Sequence, residues 1–505
     1  MTTDKPIPGN PDPRAHTLDA MCRPHRAKDG SQTERQQVVI LGAGPAAVGA
    51  AFQLQRMGVA QATVLEQANT VGGIAGSFQL DGVYCDHGSH RLHPAVDPAI
   101  LRDLESLLGE DLRLRVRHGR IRLQGRWIHF PLKPVDLLLR LPKRFAFGVC
   151  ADLVRKILPH GTQEPETFAS VLESGLGRTI CREFYFPYAR KLWGVAPEEL
   201  APTTAKRRVS GSSLGKMFRK ILSQVPGLKP PRAGKFFYPR RGYGQLSECL
   251  AEAAQKAGTE IVFGARVTSI ERQGNSITAV RYQKEGKEHV LQTQHVWSTL
   301  PVTLLVRLMR PEAPPDVLEA ANSLSYRGMV LVYLVLEQDR FSGFDAYYFP
   351  EKSMPVSRMS EPKNFFGSEE PHGTTVLCAE LPCDPDGPYW ELTDAELGKK
   401  LCEWLEDAGL PVHAPIRRVY TRRVRQAYPV YRSGYEEHLG RMDRWLQGLD
   451  GLLHYGRQAL FAHDNTHHAI YMAYAAVDCF AADGTFDKAR WAQYRQIFET
   501  HVVED

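Results

Sequence analysis

Two hydrophobic periods succeed one another along the chain, and each change of period predicts a change of element. Val38-Val39-Ile40-Leu41 is a short apolar run that predicts a buried strand. A glycine-rich turn follows. Then Pro45-Ala46-Ala47-Val48-Gly49-Ala50-Ala51-Phe52-Gln53-Leu54 places small and apolar residues at helical spacing, with Gly58 as the stop signal. Ala62-Thr63-Val64-Leu65-Glu66 predicts a second strand ending on a carboxylate, which completes a βαβ unit. Over 112–130 apolar and polar residues alternate, with turn signals at Gly119 and Gly125, so antiparallel strands are expected. Amphipathic stretches at 135–140, 145–158 and 168–188 predict a mainly helical insertion over 134–225. Strand patterns return at 260–263, 267–270, 277–282, 295–300, 328–336 and 374–379. A last strand at 452–455 precedes a helix from about His467 to Ala482. Residues 1–36 hold few large apolar side chains and predict a flexible arm.

Composition narrows the class without changing this outline. With 505 residues, 43% hydrophobic and 24% charged, collagen-like, coiled-coil and wholly disordered chains are excluded, and a globular mixed α/β (α+β) protein is expected. The net charge of +6 is not gathered into any block of like charges, so no nucleic-acid partner is expected. No stretch reaches ~18 uninterrupted apolar residues, and the first residues lack a signal-peptide core. A cytoplasmic protein without a transmembrane segment is expected. Nine scattered cysteines without a CxxC pair suit reduced thiols.

Gly42-Ala43-Gly44-Pro45-Ala46-Ala47 sits between the first strand and the helix. Gly42 permits the tight turn, Gly44 lets backbone approach a pyrophosphate, and Ala47 allows close helix–strand packing. The helix start supplies free N–H groups and partial positive charge for phosphates. Glu66, with Gln67 beyond it, is placed to accept hydrogen bonds from an adenosine ribose, and its charge disfavours a 2′-phosphate. NAD and FAD remain. Val71-Gly72-Gly73-Ile74-Ala75-Gly76-Ser77 decides between them, because its glycine doublet lets backbone cross the dinucleotide a second time.

The extended pattern over 42–77 resembles the flavoprotein superfamily of flavin amine oxidases, protoporphyrinogen oxidase, phytoene desaturases and UDP-galactopyranose mutase. The resemblance covers most of 38–480. It implies FAD in a Rossmann-type, glutathione-reductase-like domain interrupted by a mixed-sheet and helical substrate domain, and with no Cys or His in an attachment motif non-covalent binding is expected. The expected parts are a cofactor unit from 37–105, 236–305 and 446–505, and a substrate unit from 106–235 and 306–445. Asp86-His87-Gly88-Ser89-His90-Arg91-Leu92-His93 resembles the segment in front of the flavin ring, which implies that Gly88, Ser89 and His90 touch cofactor. Phe186-Pro187-Tyr188-Ala189-Arg190-Lys191-Leu192-Trp193 resembles a substrate-domain helix, and Arg240-Arg241-Gly242 the return to the cofactor domain. Val267 matches the position whose backbone meets adenine. Gly456-Arg457 and Thr466-His467 through Met472 resemble the last flavin motif, where a helix N-terminus points at the isoalloxazine.

The resemblance also implies that flavin carries the hydride, leaving the protein to orient a small organic substrate and move a proton. His90 and His93 are candidate acid–base groups. Arg358, Arg190 and Arg241 are candidate anion clamps. Trp193, Tyr348, Tyr428 and Tyr431 are candidate pocket walls. His463, Asp464, His467 and His468 have ligand-like spacing, but the resemblance places flavin there, so no metal is expected. The basic amphipathic segment 127–158 reads as a helical cap or a peripheral membrane contact. Dehydrogenation with transfer of hydride to FAD is the expected reaction, and a redox-neutral sugar-nucleotide mutase is the alternative. The oligomeric state stays open.

Overall fold

The computed structural model describes residues 36–131, 136, 140–155, 166–211 and 234–503. The expected arm over 1–36 lies outside the described residues except for Gln36, which opens the first strand. Most of 135–140 and the last residues of 145–158 also lie outside.

Strand β1 (Gln36–Leu41) runs through a turn into helix α1 (Pro45–Met57) and on to strand β2 (Ala60–Glu66). Side chains alternate across a strand, so Val38 and Ile40 enter the core shared with α1 while Val39 and Leu41 enter the core on the opposite face. Around β1 a five-stranded parallel sheet forms in the order Leu452–His454, His295–Ser298, β1, β2, Glu260–Phe263. A parallel sheet needs cover on both faces. Helix α2 (Thr466–Asp478) packs across α1, and a Cβ added to Gly49 would lie 3.4 Å from the Ala473 Cβ, so the small-residue face of α1 fixes a close approach. The strands Arg266–Gln273 and Ser276–Lys284 contribute Ile270, Ile277 and Val280 to the opposite core.

A second sheet has seven strands. Four of them are β3 (Ala346–Tyr348), β4 (Arg358–Ser360), β5 (Thr375–Cys383) and β6 (Ile416–Val430). The order is β6, Ser325–Leu336, β5, β4, β3, Gly119–Leu123, Arg126–Phe130. Met329–Leu336 reads as one apolar run because both faces are covered: Val330, Val332 and Leu334 join one core, and Met329, Leu331 and Tyr333 another.

Three local expectations need correction. Gly119 is not a turn but the start of a strand, and the hairpin reverses at Gln124-Gly125, where Gly125 has φ +71°. Leu112–Val116 pairs with the distant Lys235–Pro239 rather than with its sequence neighbour. The helix expected over 168–188 is broken at Gly177, whose φ of +87° favours glycine. Beyond the break, Lys191 on Phe186–Trp193 donates to the carbonyls of Phe349, Glu351 and Val356, which docks that helix on the loop between β3 and β4. Among the described residues no helix is long and apolar enough to cross a membrane.

Candidate active site

At the end of β1, Gly42 adopts φ +91° and a Cβ there would lie 2.7 Å from Thr299 Oγ1, so the turn admits only glycine. Gly44 differs. It has ordinary angles (φ −72°, ψ 176°), and a Cβ added to it would meet nothing within 4 Å. That open side faces a cavity of about 500 Å³, within the range of small-molecule clefts. Two helix starts, at Gly44–Ala46 and at Asn465–Thr466, belong to its wall. Helix α1 has no side-chain cap, so its first N–H groups and the positive end of its dipole remain available. Glu66 closes another side, its carboxylate accepting hydrogen bonds from Ala43 N (2.7 Å) and Ala68 N (2.8 Å). Arg457 reaches the wall with Nη1 on the Asp464 carbonyl (3.0 Å) and Nη2 on the Ala427 carbonyl (2.9 Å), while its Nε is buried without a partner. A glycine cradle, a carboxylate, two helix N-termini and a guanidinium around one cleft fit an adenine dinucleotide and its pyrophosphate.

The 87–91 loop forms the next part of the wall and is held from β5. Glu380, 3% exposed, accepts from Ser89 N (2.6 Å) and takes Arg358 in a two-pronged pair, Nε and Nη2 each at 3.0 Å. Arg91 donates to Tyr348 Oη (3.1 Å) and Asp345 Oδ1 (3.1 Å). Below the loop Asp86 is fully buried and accepts from Ser77 Oγ (2.6 Å), Tyr238 Oη (2.6 Å) and Tyr243 N (2.8 Å). Burial nonetheless pushes its carboxyl up to about 6. The Tyr243 ring stacks on His90 at 5.3 Å.

His90 Nε2 lies 3.0 Å from the carbonyls of both Ile74 and His87. Carbonyls only accept, so Nε2 carries the proton and Nδ1 keeps the lone pair. Burial pulls His90 down to about 4, and Arg358 and Arg457 act in the same direction against Glu380. The ring is neutral at pH 7. The rate of flavin bleaching by substrate is therefore expected to show no His90 inflection near pH 6.5; an inflection there that vanishes in His90→Gln would contradict the assignment. Because the unfolded chain takes up a proton between pH about 6.5 and about 4 that folded His90 refuses, its contribution to stability falls as pH drops through that window.

Of the residues singled out in the sequence, Gly42, Gly44, Pro45, Ala46, Glu66, Gln67, Gly73, Ile74, Ala75, Ser89, His90, Arg358, Tyr428, Arg457 and Thr466 meet on this cavity. Others do not reach its wall. Ala47 is packed inside α1, and Met472 and His467 are buried in α2. Gly88 backs onto Glu380, and a Cβ on Gly456 would lie 2.9 Å from Ala46 Cβ, so that glycine lets the last motif touch α1. Val267 lies on the four-stranded sheet. His93 uses Nδ1 to accept from Ala95 N (3.1 Å). Arg190 is exposed, and half-exposed Arg241 faces Glu248 at 3.7 Å. Trp193 packs edge-on against Phe168, Tyr348 holds Arg91, and Tyr431 donates to the Phe461 carbonyl. The wall also contains Arg117, Arg422, Tyr243 and Thr299, which sequence reasoning missed. Arg422, Arg423, Val424, Arg425, Gln426 and Tyr428 of β6 all belong to the wall, across a register shift in the strand, and the available signal was the run of arginines there.

Asp464, His468 and His501 bring a carboxylate and two imidazoles within 4.8 Å of one another. The His468 and His501 rings lie face to face, 4.1 Å apart and 12° from parallel, so their in-plane lone pairs do not converge on one ion.

Comparison with known proteins gives this cavity its context. The family described as flavin containing amine oxidoreductase matches residues 49–442. Coproporphyrinogen III oxidase of Propionibacterium freudenreichii subsp. freudenreichii is 23% identical over 467 residues, 83% of this chain and 85% of that protein. In structure the chain resembles reduced UDP-galactopyranose mutase, with TM-score 0.74, 21% identity, and 88% and 93% of the two chains covered. It also resembles cyclohexylamine oxidase from Brevibacterium oxydans IH-35A, with TM-score 0.61, 16% identity, and 91% and 100% covered. The two structural likenesses bear on the fold, and the family match spans most of the sequence. The chain belongs to the flavin-containing amine oxidoreductase family and is an FAD-dependent oxidoreductase.

Proposed function

We propose that this protein dehydrogenates a small anionic organic substrate in the cavity bounded by the 87–91 loop and β6. The observation that carries the reading is Arg422, a guanidinium on the wall that pairs with no carboxylate among the described residues, with Arg117 and Arg457 on the same wall. FAD, when bound, supplies the hydride acceptor. Gly44, Glu66 and the α1 N-terminus hold its dinucleotide part, with Arg457 and the α2 N-terminus neutralising charge. Arg422 binds the substrate anion by charge-assisted hydrogen bonds. His90, fixed by the Ile74 and His87 carbonyls, presents Nδ1 as acceptor for a substrate O–H or N–H proton. Arg358 is held by Glu380 and so positions the loop more than it binds substrate.

Carboxylic acids are expected to bleach the flavin where their methyl esters do not. In Arg422→Glu the KM for the acid rises by roughly ten- to a hundredfold, the value of one charge-assisted hydrogen bond at about 1.5–3 kcal/mol. An unchanged KM with an intact flavin spectrum would remove the anionic class.

The division into a cofactor unit (37–105, 236–305, 446–505) and a substrate unit (106–235, 306–445) is supported by the parallel sheet, which draws strands from all three cofactor segments. We place the enzyme in the cytoplasm, in keeping with the free thiols of the described cysteines. Peripheral contact with anionic lipid is assigned to the helix Lys143–Arg155, where Phe147 and Val154 are 74% and 63% exposed beside Lys143, Arg144 and Arg155. Co-sedimentation with anionic vesicles that is lost in Phe147→Asp is expected, and equal sedimentation with neutral vesicles would refute it.

A further inference from the structure

Helix α3 (Lys488–Glu499) is followed by His501, Val502 and Val503, which bend back over the start of α2. His501 Nδ1 lies 3.2 Å from Asp464 Oδ2, and the two side chains are only 10% and 1% exposed. The imidazole lies flat on His468 and meets Tyr471 edge-on at 6.0 Å. Two residues further on, Val503 is part of the cavity wall, with Asp464, Asn465 and Ala469. The Asp464 carbonyl in turn receives Arg457 Nη1. One ring thus ties a three-residue segment both to the cavity and to an arginine of its wall.

We infer that Val503 is a specificity-determining wall residue that limits what reaches the cofactor cleft, and that His501 is the positioning residue that holds it there. The inference rests on the reading that FAD occupies this cavity. A hydrogen bond together with a flat ring contact fixes the imidazole in both direction and plane, which a hydrophobic contact alone does not. Val503 presents a small apolar surface to the cavity that Asp464, Asn465 and Ala469 also line, so it excludes bulk without adding charge.

The test uses full-length, FAD-loaded enzyme and acrylamide as a neutral quencher of bound-flavin fluorescence. Removal of 501–505 and His501→Ala are each expected to raise the quenching constant several-fold at unchanged flavin content. His501→Asn, which can still donate to Asp464 but lacks the ring, is expected to fall between His501→Ala and wild type. Val503→Ala raises quenching and Val503→Trp lowers it, while melting temperature stays near wild type. Wild-type quenching in both His501→Ala and Val503→Ala overturns the inference, and these two variants decide even if the truncated chain fails to fold. Wild-type protein that holds no flavin would instead refute the reading on which the inference rests.

Discussion

Gly44→Val is expected to give a folded protein that holds no flavin. The backbone at Gly44 is in a region open to valine, and an added Cβ meets no protein atom within 4 Å, so the new side chain enters the cleft. The cost to the fold is limited to a poorer helix cap, about 1 kcal/mol. The cost to the dinucleotide is larger, since the backbone approach that a pyrophosphate needs is closed; affinity is expected to fall by roughly a thousandfold, about 4 kcal/mol. Gly42→Val is the contrasting control. Its φ of +91° and the 2.7 Å approach to Thr299 Oγ1 make valine incompatible with the turn, so this variant loses stability as well as flavin. Flavin absorbance per chain and the melting temperature of the flavin-free proteins separate the two effects. Gly44→Val with full flavin content would contradict the placement of the cofactor.

Glu380→Ala is expected to cost about 3–5 kcal/mol, because it leaves the Arg358 guanidinium buried without its carboxylate. Ser89 N loses its acceptor at the same time, so the loop that carries His90 loosens and turnover falls further than stability alone explains. Replacing both partners, Glu380→Leu with Arg358→Met, is expected to recover most of the stability and none of the activity. Urea midpoints and turnover of the two variants check this. A single variant within about 1 kcal/mol of wild type would show that the pair is not the loop's anchor.

What was legible in the sequence was local. Gly42, Gly44 and Glu66 announce themselves because strand, turn, helix and strand follow within thirty residues and each glycine has a steric reason. The contacts that aim the site are long-range. Glu380 and Ser89 are 291 positions apart, and no spacing rule connects them. Arg190 and Arg241 lie beside site-like motifs in the sequence, yet helix phase and an exposed turn carry them to the surface. Arg422 was overlooked for the opposite reason. β6 is an edge strand whose arginines interrupt the apolar alternation, since its residues 422–426 reach the cavity while Val424 and Tyr428 also pack on a core. Gly119 reads as a turn but opens a strand, where a Cβ would lie 3.1 Å from the Ala346 carbonyl and the neighbouring backbone passes close.

The most direct test of the central claim is the visible spectrum of the FAD-loaded protein recorded anaerobically during addition of small carboxylate-bearing reductants. Bleaching of the band near ~450 nm in proportion to one substrate, with no other reductant present, is the result that hydride transfer predicts. A band that dithionite bleaches and no organic anion does would contradict dehydrogenation and favour redox-neutral chemistry in the same cleft.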